Sequence, residues 1–145
     1  MVKSIAIVGG SSDIAKSTIS SMSADNYKFH VLVRDDSHTD ELSALGVSVV
    51  LGDATSEEDI KNFISGVKES GEIHAILHCV GSFAVRPPHA MNKEAFETVI
   101  STNLTSAFLT LSIAGKAMLS QGHGRIVFMS SVAGSLGLVN HEAIS

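Results

Sequence analysis

Hydrophobic positions along this chain alternate between two periods. Short β-branched runs at residues 4–8, 29–33, 47–51, 73–79 and 125–129 read as strands. Between them lie stretches with apolar residues every three to four positions, which predict helices over residues 12–23, 39–45, 56–70 and 93–120. The punctuation agrees: Gly46 sits where a left-handed residue would end the second helix. Thr55-Ser56-Glu57-Glu58 reads as a capping box opening the third, and Arg86-Pro87-Pro88 breaks the pattern into a surface loop. Strands alternating with helices imply right-handed βαβ units and a parallel sheet covered on both faces. No internal repeat or linker divides the 145 residues, so one domain is expected.

Chemistry is densest directly behind the first strand, in Gly9-Gly10-Ser11-Ser12-Asp13-Ile14-Ala15. A strand, a tight glycine turn and a fresh helix N-terminus make a phosphate cradle. The glycines permit close backbone approach, and the unpaired amides of the first helical turn face the anion. Ser11 and Ser12 can donate to phosphate, and either can cap the helix. The totals narrow the rest. With 44% hydrophobic and 17% charged residues the chain is globular. A net charge of -5 argues against sequence-independent nucleic-acid binding, which needs clustered cations. One cysteine rules out an intramolecular disulfide framework and suits a reducing cytoplasm. The first apolar run is too short for a signal peptide or a membrane span, so a soluble cytoplasmic domain without membrane partners is expected.

By the fifth strand the motifs resemble those of the short-chain dehydrogenase/reductase family, over the whole chain. The family's glycine motif maps onto Val8 to Ala15, and its adenine-side Asp onto Asp53 in Leu51-Gly52-Asp53-Ala54. Its turn after the fourth strand maps onto His78-Cys79-Val80-Gly81. The helix Asn that supports a proton relay maps onto Asn103, and the catalytic Ser onto Ser131 in Met129-Ser130-Ser131-Val132-Ala133-Gly134. The resemblance implies a doubly wound, Rossmann-like sheet of about five strands, ordered 3-2-1-4-5. It also implies an NAD(P)-dependent oxidoreductase that moves a hydride between nicotinamide and a carbonyl or alcohol substrate. Gly9, Ser11, Ser12, Ile14, Arg34, Asp53, Ala54, Cys79, Val80 and Gly81 would hold the cofactor. Ser131 would polarise the substrate, and Asn103 would order the proton path. Arg34, the first residue past the second strand, would pair with a 2′-phosphate and favours NADP. Asp35 and Asp36 follow at once, and a slip of one residue would favour NAD.

Departures from the family pattern carry equal weight. Asp13 and Ala15 replace two glycines of the first motif. The family's Tyr, at its usual spacing from Ser131, falls on Ile144, and the Lys four residues later would fall at position 148. The single Tyr of this chain is Tyr27. Members of the family continue into further strands, so the chain is expected to be the cofactor-binding portion of a longer protein, incomplete at its C-terminus. The competing function is a dinucleotide-binding module without turnover, a sensor or assembly partner. His141 and Glu142 are the remaining candidates for a substitute acid.

Three other readings follow from the residues themselves. Gly10-Ser11-Ser12-Asp13-Ile14-Ala15-Lys16-Ser17 is a Walker A pattern with Ala in place of its final Gly, and Asp53 stands where a Walker B Asp would. Seven histidines raise the question of a metal, but His74 and His78 on one strand face lie about 13 Å apart and Cys79 points the other way. No metal site is expected. The apolar positions Ala95, Val99, Leu104, Ala107, Phe108, Leu111, Ala114, Ala117 and Met118 exceed what one sheet face needs. The resemblance implies subunit contacts through this helix and hence a homo-oligomer.

Overall fold

The computed structural model describes residues 2–22 and 26–145. Five strands, β1 (Lys3–Val8), β2 (Tyr27–Val33), β3 (Ser48–Leu51), β4 (Ile73–His78) and β5 (Arg125–Phe128), form one sheet ordered β3-β2-β1-β4-β5. Every neighbouring pair is parallel. Each expected strand is present with its ends moved by one or two residues. The predicted end of the first helix at Ser23 falls outside the described residues.

Helices α1 (Asp13–Ser21) and α2 (Thr39–Ala44) cover one face, where Ile5, Ile7, Val31 and Val33 pack with Ala15, Ile19 and Leu42. On the other face, α3 (Glu57–Glu69) buries Ile60, Phe63, Ile64 and Val67, a single stripe at helical spacing. These meet Ala6, Val8, Leu32 and Ile76 together with Ala114 and Met118. Phe63 is almost wholly buried, and a side chain of that size contributes roughly 2–3 kcal/mol by leaving water. A parallel sheet needs both faces covered, so the two apolar layers decide the architecture together.

Two local expectations change. The cap of α3 is Ser56 rather than Thr55: its side chain accepts from the Asp59 N–H at 3.2 Å. Thr55 instead donates to Asp53, and the Asp59 carboxylate reaches back to the Asp53 N–H at 2.8 Å. The long helix predicted over 93–120 is interrupted. It comprises α4 (Lys93–Ile100), a π-helical turn at Ser101–Thr105, and α5 (Ser106–Gln121). The Ser106 N–H bonds the Ser101 carbonyl five residues back. Asn103 supplies the reason: its side-chain amide takes the Val99 carbonyl at 2.9 Å, the acceptor its own backbone would use in a regular helix. Two short elements lack a strong periodic signal: a 3-10 turn at Pro88–Ala90 and α6 (Val132–Leu136).

The helical run Lys93–Gln121 is long and apolar enough to cross a membrane by length and composition, with a mean hydropathy of 1.2. Its inner side, at Thr110, Ala114 and Met118, is buried, while Leu104, Phe108, Leu111 and Leu119 are exposed. All five strands run the same way, so their C-terminal ends share one edge, and the chemically rich loops emerge there.

Candidate functional site

At that edge β1 ends in a turn that only glycine fits. Gly9 has φ +87°, and a Cβ there would lie 2.9 Å from the Cys79 carbonyl carbon and the Val80 nitrogen. The N–H groups of Gly9 and Gly10 both donate to the Leu32 carbonyl at 3.0 Å, pinning the turn between β1 and β2. Ser12 is the cap of α1, its hydroxyl accepting from Ala15 at 3.1 Å. The N–H groups of Ser11, Asp13 and Ile14 have no acceptor among the described residues. An anion seated at this helix start would satisfy them.

A cleft of about 730 Å³ opens beside this turn. Nine of the ten predicted cofactor residues line it: Gly9, Ser11, Ser12, Arg34, Asp53, Ala54, Cys79, Val80 and Gly81. The tenth, Ile14, does not. Its side chain is exposed, which leaves only its free N–H on offer. Asp53 is oriented by its own loop, Oδ1 accepting from both the N–H and the hydroxyl of Thr55 at 2.8 Å. Burial pushes the Cys79 thiol up, with partial offset from the Ser12 hydroxyl, so it lines the cleft as a neutral group.

Sequence reasoning missed several lining residues: Leu32, Gly52, Thr55, Ser82, Thr98, Ser101 and Thr102, while Asp35, its alternative to Arg34, also lines the cleft. Thr98, Ser101 and Thr102 have the three-and-four spacing of one helical face, a short polar stripe. That stripe was readable.

Asn103 lies just behind the wall. Its Oδ1 accepts from the Ser82 N–H at 3.1 Å, and its Nδ2 donates to the Ser82 carbonyl at 2.7 Å as well as to Val99. Both ends of the amide are therefore engaged, and the residue clamps the loop after β4 to the π turn. Gly81 leaves room for that clamp: a Cβ there would stand 3.3 Å from Asn103 Oδ1.

His78 ends β4, directly before Cys79. It is 3% exposed, with Nδ1 3.1 Å from the Thr110 hydroxyl and Nε2 3.2 Å from the Ser106 hydroxyl. Burial lowers its pKa to about 4. With both ring nitrogens engaged, it has no lone pair left for a metal. A register shift of β4 against β1 falls beside His74, yet no group of three or more His, Cys, Asp or Glu is placed to hold an ion among the described residues.

Ser131 stands apart. It is exposed beyond the end of β5 and caps α6, accepting from Ala133 at 3.2 Å, and does not line the cleft. Tyr27 begins β2 opposite Lys3, at the far edge of the sheet. Ile144 closes a turn onto the His141 carbonyl. His141 Nδ1 bonds the Val139 carbonyl at 2.8 Å. Glu142 lines a separate cavity of about 230 Å³ with Arg86 and Phe96. Neither His141 nor Glu142 reaches the larger cleft.

A family model described as short chain dehydrogenase matches residues 3–143. The 3-oxoacyl-acyl-carrier-protein reductase MabA of Mycobacterium tuberculosis is 29% identical over 139 residues, covering 95% of this chain and 54% of that protein. A tropinone reductase homologue of Arabidopsis thaliana is 27% identical, covering 92% and 53%. The chain thus spans about half the length of the curated relatives it matches. Among solved structures, ElxO with NADP bound superposes with a TM-score of 0.90 at 22% identity, over 99% of this chain and 61% of that one, a likeness of fold. NAD+-bound xylitol dehydrogenase superposes with a TM-score of 0.89 at 26% identity, over 98% and 58%.

Proposed function

The chain belongs to the short-chain dehydrogenase family, and on that premise we propose that it holds NADP(H) in the cleft for an oxidoreductase acting on a carbonyl or alcohol. The observation that carries this reading is the Gly9 turn, where backbone from β1 and β4 meets so closely that a methyl group would fill the approach. When bound, the nicotinamide supplies or accepts a hydride, and the protein supplies binding and orientation. Ser11, with the free amides of Asp13 and Ile14, holds the diphosphate. Asp53 and Ala54 take the adenine side, and Cys79, Val80 and Gly81 form the wall along the dinucleotide. Arg34 meets the 2′-phosphate as a cation with no ion-pair or hydrogen-bond partner among the described residues, which favours NADP over NAD. Asn103 keeps the loop after β4 in place for the proton path, and Ser131 is the group for a substrate oxygen. The exposed Leu104, Phe108 and Leu111 support self-association through the long helix.

A second reading has its own support: binding without turnover. Ile144 holds the position of the family's Tyr, and Tyr27 lies across the sheet from the cleft. Titration of the protein into NADPH and NADH, followed by nicotinamide fluorescence, tests both readings. Tighter binding of NADPH supports the first. Oxidation of bound NADPH on adding a panel of carbonyl compounds separates turnover from binding alone. No enhancement with either nucleotide refutes the dinucleotide site.

A further inference from the structure

The loop that follows β2 carries two opposite charges into the cleft, Arg34 and Asp35. A carboxylate at this place can accept ribose hydroxyls, and a guanidinium can pair with a phosphate, so the two residues pull the preference in opposite directions. What tips the balance lies two residues on. The Ser37 N–H donates to Asp35 Oδ1 at 3.1 Å, and the Ser37 hydroxyl donates to the same oxygen. These bonds hold the Asp35 carboxyl below the usual carboxylate range. Ser37 itself does not line the cleft.

Neighbouring charges leave Arg34 free as well. Glu41, the acidic group of α2 that faces α1, is already paired with Lys16 at 3.1 Å and with His38 at 3.2 Å. Of the two carboxylates that follow Arg34, only Asp35 lines the cleft beside it, and it already feels the Arg34 charge, so Ser37 and Arg34 compete for it.

We propose that Ser37 is a positioning residue that sets the nucleotide preference of this site, retaining the Asp35 carboxylate on its own loop so that Arg34 meets the 2′ substituent. The proposal rests on the reading of the cleft as a nicotinamide dinucleotide site. Removing the Ser37 hydroxyl leaves Asp35 Oδ1 with the backbone N–H bond alone, and the loosened carboxylate has two effects of the same sign. It pairs with Arg34 and withdraws the cation from a 2′-phosphate, or it accepts from the ribose hydroxyls and favours a 2′-OH.

The test is the ratio of Kd values for NADPH and NADH, measured by nicotinamide fluorescence on the wild-type protein, Ser37→Ala, Ser37→Thr, and Ser37→Ala in an Asp35→Asn background. Ser37→Ala is expected to shift the ratio toward NADH by about fivefold, the scale of one charge-assisted hydrogen bond at an exposed site. Ser37→Thr keeps the hydroxyl and restores the wild-type ratio. In the Asp35→Asn background, removing the hydroxyl leaves the ratio unmoved. A merely structural serine would weaken both nucleotides together, and an equal loss or an unchanged ratio overturns the proposal. If the wild-type protein prefers NADPH and Ser37→Ala does not alter that, the proposal fails while the dinucleotide reading stands. Wild-type protein that binds neither nucleotide removes both.

Discussion

His78 makes folding stability depend on pH, and its hydrogen bonds give the sign. The Ser106 hydroxyl donates its only proton to the Thr102 carbonyl, so it must accept from Nε2–H of His78. A neutral ring then presents Nδ1 as an acceptor for the Thr110 hydroxyl. Protonation would place a second N–H against that hydroxyl in a buried site, which agrees with a pKa lowered by burial from 6.5 to about 4. The unfolded chain takes up a proton near pH 6.5 and the folded chain only near pH 4. Stability is therefore intact above pH 6.5, falls as the pH drops through that window, and levels off below about 4. The whole gap corresponds to about 3 kcal/mol, of which about 2 kcal/mol is gone by pH 5. Urea unfolding followed by circular dichroism at pH 7 and pH 5 measures it. The variant His78→Gln, which bonds hydroxyls but does not titrate, serves as the reference. His30, also buried with a lowered pKa, adds a loss of the same sign and cancels in the difference. The wild-type protein should lose about 2 kcal/mol more than the variant between the two conditions. Parallel losses would refute the reasoning, as would an NMR titration of the His78 ring with a midpoint near 6.5.

Three further outcomes follow from the site. Gly9→Ala puts a methyl 2.9 Å from two backbone atoms at φ +87° and should cost about 2 kcal/mol or more, seen as a lowered thermal midpoint together with weakened NADPH binding. An alanine variant that melts like wild type contradicts the close approach. Asn103→Ala strands the Ser82 N–H and carbonyl and should weaken NADPH binding about tenfold, whereas a purely internal helix role would lower stability and leave affinity alone. Phe108→Glu charges the exposed face of α5, 62% exposed at that residue, and should shift any self-association toward monomer in sedimentation velocity without changing the melt. An unchanged oligomer would place the contact elsewhere.

Local chemistry in the sequence was sufficient for the five strands and the principal helices. Period-two and period-3.6 runs specify strands and helices because each must bury one face, and strand–helix alternation leaves few ways to lay a parallel sheet. The Gly9 turn was legible because its cause is local: a strand end, a positive φ and a helix start within a few residues. Nine of the residues predicted to hold the cofactor converge on one cleft for the same reason, since parallel strands deliver their C-terminal loops to a single edge. Only the tertiary structure decided what binds what across the chain. The Asn103 clamp joins residues 21 apart in sequence, and the His78 pair joins residues 28 and 32 apart. Those contacts turn a predicted continuous helix into two segments with a π turn, because a side-chain amide outcompetes a backbone N–H for the Val99 carbonyl once Ser82 holds it in place. The far edge position of Tyr27 and the place of Ser131 outside the cleft were likewise beyond sequence spacing. Periodicity states which face of an element is buried. Which partner meets that face, and which polar group is left to do chemistry, depends on the packing of the whole chain.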